Sequence, residues 1–122
     1  MNLNTALERH DGPALEMHPL FPDRANISFV HQIGTNRFRM RVWERGGGIT
    51  MACGSGASAV GVAAHRARLS GRVNDIVMDG GMVTIDWQDD GTDSGRVIMQ
   101  GPVAHVYQGQ LSDELEHCLR AT

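Results

Sequence analysis

Residues 37–43 carry the plainest pattern in the chain: Phe38, Met40 and Val42 alternate with Arg37, Arg39 and Arg41. A period of two with one apolar side predicts a half-buried β-strand. The arginine side reads either as a solvated face or as one that attracts an anion. Upstream, Ile27 to Gln32 predicts another strand, joined through the turn Gly34-Thr35-Asn36. Met1 to Asp11 has no clear period. Gly12 to His18 admits about two helical turns, ended by Pro19 and Pro22. A turn-rich stretch with Asp23, Arg24 and Asn26 follows.

Past the strand the period changes. Ser55 to Leu69 has no proline and is dominated by Ala, Val, Arg and Leu, which predicts a helix. Gly56, Ala57, Ser58, Ala59, Gly61, Ala63 and Ala64 leave its first half with little bulk. Such a helix is weak alone, since Gly61 costs ~1 kcal/mol against Ala. It lets strands approach closely, so it is expected to be central and buried. His65, Arg66 and Arg68 suit its C-terminal end, and Gly71 offers a stop. After Arg72 the pattern is all strand: Val73 to Met78, Met82 to Gln88, Arg96 to Gln100 and Val103 to Gln108. Asp79-Gly80-Gly81, Asp89 to Gly95 and Gly101-Pro102 separate them. Ser112 to Arg120 opens with an N-cap serine and an acidic first turn, predicting a short helix. The expectation is a single α+β domain over residues 1–122, with a mostly antiparallel sheet wrapped around the Ser55–Leu69 helix. Residues 112–122 form a helical tail.

Composition narrows the chemistry. The 122 residues carry a net charge of −3, and no basic stripe points to nucleic acid. All eleven cationic residues are Arg, so Schiff-base lysine and P-loop lysine chemistry are excluded from this chain. No apolar run approaches the ~18 residues of a membrane span. The six His show no metal-ligand spacing with each other or with the cysteines, so no metal is expected. Two Cys without a signal-peptide pattern predict reduced thiols and a cytoplasmic location.

The candidate chemistry sits between strand and helix, in RVWERGGGITMACGSGASA (Arg41 to Ala59). Cys53 falls at the predicted helix N-terminus. Unpaired N–H groups and the positive end of the helix dipole favour a thiolate there. The same amides can hold a carboxylate or phosphate. Gly46, Gly47 and Gly48 form either a flexible hairpin loop or a binding loop that lets a ligand approach the backbone. Read alone, Cys53 is either a reactive thiol or a small core residue. Glu44 and Arg45 are either ligand-binding groups or a surface ion pair worth under ~1 kcal/mol. Asn26 is either a ligand contact or the start of a turn. GSGASAVG mimics part of a dinucleotide fingerprint, but no strand leads directly into it and no ribose-binding acid follows at the required distance.

ERGGGITMACGSG, together with HPLFPDRANISFV (His18 to Val30) and GPVAHVYQGQL (Gly101 to Leu111), resembles the second cysteine motif and flanks of the diaminopimelate epimerase family. The resemblance covers roughly Gly12 to Leu111. It implies half of that family's fold and cofactor-independent interconversion of LL- and meso-diaminopimelate, in lysine and peptidoglycan biosynthesis, by two cysteines acting as acid and base. By resemblance Cys53 is one of the pair, and Gly54 and Ser55 bind the reacting α-carboxylate through their N–H groups. Glu44 and Arg45 match the substrate-binding pair, with Glu44 also tuning the thiol, and Asn26 matches the substrate-binding asparagine. The family's other Gly-rich cysteine motif and its Asn-Pro-His stretch are absent here. Ile49 stands where many relatives carry Glu. Cys118, in a charged terminal helix without glycine neighbours, reads as structural or incidental. The implied partner is therefore a missing N-terminal half, or a second copy of the chain in a symmetric dimer that sets two Cys53 residues face to face. A non-catalytic anion-binding fragment, or an epimerase or racemase of the same superfamily with another amino-acid substrate, are the alternatives.

Overall fold

The computed structural model describes residues 11–88 and 95–120, without the side chains of 118–120. Its elements in chain order are α1 (Gly12–Glu16), β1 (Ile27–Gly34), β2 (Arg37–Glu44), β3 (Gly48–Thr50) and α2 (Gly54–Arg66). They continue with β4 (Val73–Met78), β5 (Gly81–Gln88), β6 (Arg96–Gln100) and α3 (Asp113–Arg120). The strands form one sheet in the order β1-β2-β4-β5-β6, with β3 paired to the end of β2. Every pairing is antiparallel except β2 with β4. That parallel pair needs a crossover, and α2 supplies it. The architecture is α+β as expected.

The alternation in β2 sorts the layers. Phe38, Met40 and Val42 are buried against α2, with Ile76 and Met78 of β4, Ile85 of β5, and Ala57, Val60 and Ala64 of the helix. Met40, Ile76 and Ile85 are fully buried. Small residues on α2 bring it close to the sheet: a Cβ on Gly61 would lie 2.7 Å from Ile85 Cγ2. Among the described residues, the helix is covered along one side only. Ser55, Ala59 and Ala63 are exposed, so the sheet backs α2 and does not enclose it.

On the opposite face of β2 the arginines meet an internal anion. Arg39 and Arg41 both donate to the carboxylate of Asp79, in the β4–β5 turn, with Arg41 Nε 2.8 Å from Oδ2. The neighbouring Gly80 N–H donates to Met51 O at 2.7 Å. The arginine row thus holds that turn against the chain leading into Cys53.

Two expectations are corrected. The helix ends at Arg66, short of Leu69, and Gly71 is not its stop. Arg68 takes the left-handed conformation (φ +59°), with Arg68 N–H donating to His65 O and Leu69 N–H to Ala64 O. That Schellman pattern closes the last turn before Gly71 is reached. Val103 to Gln108 is not a strand: it has no ladder partner among the described residues, and Val103 is 99% exposed. Its apolar residues favour a strand, but that preference is realised only against a neighbour, and here the chain has already left the sheet edge at β6. The terminal helix forms as predicted, while Cys118's side chain and most of the Asp89–Gly95 loop lie outside the described residues.

Candidate active site

One end of the sheet gathers the start of β1, the ends of β2, β4 and β6, and the N-terminus of α2. Antiparallel pairing of β1 with β2, and the parallel pairing of β2 with β4, dictate this. At the centre is Cys53, which is 9% exposed and sits in extended conformation (φ −145°, ψ 106°) as the N-cap of α2. Its Sγ accepts from the Gly56 amide at 3.4 Å and lies 3.5 Å from Ser55 Oγ. Its own N–H points to Met78 Sδ at 3.4 Å, and its carbonyl accepts from Ala57 N–H at 2.9 Å. The Gly54 and Ser55 amides, in the first turn, have no intrahelical acceptor. No acidic residue stands in that turn to compete for an anion. Met99, from β6, packs over Gly54.

The second cluster is the tip of the β2–β3 hairpin. Gly46 and Gly48 both have positive φ (+72° and +73°), which lets the chain reverse in few residues. The triple glycine is thus an ordered turn. Asn26 Oδ1 accepts from Arg45 N–H at 2.8 Å, and Arg45 Nη1 donates to Asp23 O at 2.9 Å. Glu44 Oε1 accepts from Thr50 Oγ at 2.5 Å, and Thr50 Oγ also reaches Ala52 O at 3.5 Å. Among the described residues, Glu44 and Arg45 make no ion pair with each other, so the surface-pair alternative is set aside. Asn26, Glu44 and Arg45 are brought together, and Thr50 and Ala52 link their loop to Cys53, Gly54 and Ser55.

Sequence reasoning missed Glu16. Its Oε2 accepts from Trp43 Nε1 at 2.7 Å and its Oε1 from the Gly46 amide at 2.9 Å, with Arg24 Nη1 at 3.6 Å. The Trp43 indole first, then the Gly46 amide and the Arg24 charge, hold its carboxyl below the usual glutamate value against burial, which acts the other way. The available signal was a glutamate in a short helix whose other residues are apolar or small. Thr50 and Met78 were missed as well, because nothing local marks either as a neighbour of Glu44 or Cys53.

A groove of about 490 Å³ runs between β1 and the open side of α2, lined by Asn26, Ser28, Val30, Ala59, Val60 and Ala63 among others. It shares Asn26 with the cluster, and Cys53 does not line it. Among the described residues no helix is long and apolar enough to cross a membrane.

The fold and its end-of-sheet cluster define an α+β domain with a cysteine-capped helix and a glycine hairpin beside it. Comparison with known proteins assigns it further. The family profile described as diaminopimelate epimerase matches residues 2–106, and the chain belongs to that family. It is 54% identical over 100 residues to the diaminopimelate epimerase of Acidiphilium cryptum and 51% identical over 100 residues to that of Bacteroides thetaiotaomicron, in both cases across 82% of this chain. It is 51% identical over 104 residues to that of Rhodospirillum centenum, across 85% of this chain. The chain spans about a third of the length of these curated relatives, at 35%, 36% and 34%.

Proposed function

We propose that this chain carries one half of an amino-acid epimerase site that interconverts LL- and meso-diaminopimelate without a cofactor, in lysine and peptidoglycan biosynthesis. The observation that carries the reading is Cys53 as the N-cap of α2, with its Sγ on the Gly56 amide and the Gly54 and Ser55 amides turned to the same end. The substrate carboxylate accepts from those two amides, which places its α-carbon beside Cys53 Sγ. The thiolate takes the α-proton, and the C–H electron pair passes into the carboxylate as an enediolate. The helix N-terminal N–H groups stabilise that charge where it develops. A thiol on the opposite face returns a proton to the α-carbon and inverts it, leaving one thiol and one thiolate with their roles exchanged. Glu44, Arg45 and Asn26 hold the rest of the substrate.

The opposing thiol comes from outside this one copy of the described residues. Its source is an N-terminal half or a second copy of the chain. The exposed side of α2 and the groove beside it support a covering partner, since apolar surface of that kind is normally buried. We place the protein in the cytoplasm with its thiols reduced. The free amides of α2 equally support plain anion binding, with no catalysis, and the same site could take another amino acid.

Alpha-proton exchange separates these readings. The chain is incubated with diaminopimelate in deuterium oxide beside a Cys53→Ser control, and label and configuration are followed. Exchange with inversion means a complete two-base site, and exchange with retention means Cys53 acting without its partner. Binding with no exchange, identical in the control, means a folded fragment whose chemistry needs its other half, with anion binding as all that it does alone.

A further inference from the structure

We propose that Glu16 is a positioning residue for the Glu44–Gly48 tip, setting the backbone conformation in which Glu44 and Arg45 are presented. The proposal rests on the reading above that this pair engages the substrate. Three consecutive amides at the tip are each held by a different acceptor. Arg45 N–H donates to Asn26 Oδ1 at 2.8 Å, Gly46 N–H to Glu16 Oε1 at 2.9 Å, and Gly47 N–H to Glu44 O at 3.0 Å. The last bond is internal to the turn. The other two come from side chains 19 and 30 residues upstream, so residues 16–26 act as a mould for the tip.

Glu16 is fitted to this task beyond what packing requires. It is only 6% exposed, and a carboxylate in such a place is costly unless its oxygens are hydrogen-bonded. Both are: one to the tip, the other to Trp43, the residue just before Glu44. The Trp43 ring is fixed in turn, because it lies against Gly12, where a Cβ would fall 2.8 Å from it. Arg24, in left-handed conformation (φ +61°), adds its guanidinium to the same carboxylate oxygen that holds Gly46. An apolar side chain would cover Trp43 equally well but could accept nothing from Gly46. The carboxylate therefore spans the end of β2 and the turn beyond it, on either side of Glu44 and Arg45.

The test is residue-resolved amide exchange by NMR on the full chain, together with titration of meso-diaminopimelate, for wild type, Glu16→Gln and Glu16→Asp. Gln offers one acceptor oxygen in place of two and sets an amide donor against another donor. Asp keeps the charge but is one methylene too short to span both sites. The expected result is Gly46 exchange faster by about tenfold or more, with Met40, Ile76 and Ile85 amides protected as before, and diaminopimelate binding weakened by a similar factor. A role confined to folding would move the core amides together with Gly46. Unchanged Gly46 protection in both variants, or wild-type binding in a variant whose Gly46 amide has been freed, overturns the proposal. If wild type does not bind diaminopimelate, the substrate reading fails, and Gly46 exchange alone still decides whether Glu16 holds the tip. Should Glu16→Gln fail to fold, Glu16→Asp carries the same two readouts.

Discussion

Gly61→Ala sets helix propensity against packing, and the structure says which wins. In an exposed helix the change would stabilise by roughly 1 kcal/mol. In α2 the added Cβ would lie 2.7 Å from Ile85 Cγ2 and 2.9 Å from Ile85 Cβ. Ordinary carbon contacts begin at about 3.5 Å, so relief needs a displacement approaching 1 Å. Rotating Ile85 moves Cγ2 but leaves Cβ, which is tied to the backbone of a fully buried residue. Helix and sheet must therefore separate, and overpacking of this kind costs about 1–3 kcal/mol. Set against the propensity gain, the net expectation is a loss of up to about 2 kcal/mol. For a domain of this size that is a fall in Tm of several degrees, on the order of 4–8 °C per kcal/mol at most. The assay is urea denaturation of Gly61→Ala, Ile85→Ala and the double variant. The alanine at 85 removes Cγ1 and Cγ2 but keeps Cβ, so Gly61→Ala should be only partly relieved in that background, with a coupling below about 1 kcal/mol. A raised midpoint for Gly61→Ala alone would refute the reasoning, because propensity would then have outweighed the contact. The site would feel the same shift, since α2 carries Cys53 and the Gly54 and Ser55 amides.

Other outcomes follow from single contacts. Asp79→Ala takes the shared carboxylate from Arg39 and Arg41 and should cost about 1–3 kcal/mol by denaturation, with the Met51–Cys53 segment loosening as the turn that holds it is released. Arg68→Gly removes the Cβ penalty of a left-handed residue and should stabilise by about 0.5–1 kcal/mol; an unchanged or lower midpoint would contradict the assigned helix stop. Glu16 has its folded pKa below the ordinary 4.5, so its contribution is present above pH 4.5 and is lost as pH falls through the lower folded value. The Tm difference between wild type and Glu16→Gln should be steady near neutrality and shrink below pH 4.5, and a difference that grows in acid would reverse the sign. Cys53→Ser should abolish α-proton exchange while leaving the fold intact, because serine can still cap α2.

How much could be read in advance depended on how local each cause was. The alternation of Phe38, Met40 and Val42 placed β2 and its buried side, since a period of two needs only the strand's own geometry. Val73–Met78 and Arg96–Gln100 came out with the boundaries their apolar runs predicted. Cys53 at a helix start was legible because the glycines before it and the proline-free run after it bracket one position. The motif ERGGGITMACGSG sufficed for the family. None of this required knowing which segments meet.

Everything that turned on a meeting was decided by the tertiary structure. Val103 to Gln108 has the composition of a strand and, among the described residues, no neighbour to make it one. Arg39 and Arg41 found their anion in Asp79, about forty residues away in sequence, and no periodicity announces such a pair. Arg68 ended the helix before Gly71 because the carbonyls of the last turn were satisfied there first. Glu16 looked like one helical glutamate among others until the fold set Trp43 and Gly46 against its two oxygens. Element type follows from side-chain periodicity along a few residues, so the chain by itself determined β1, β2, β4, β5 and β6, the helix and the cysteine that opens it. Hydrogen bonds and ion pairs join groups far apart in sequence, so only the folded chain decided which residues surround that cysteine and hold the hairpin beside it.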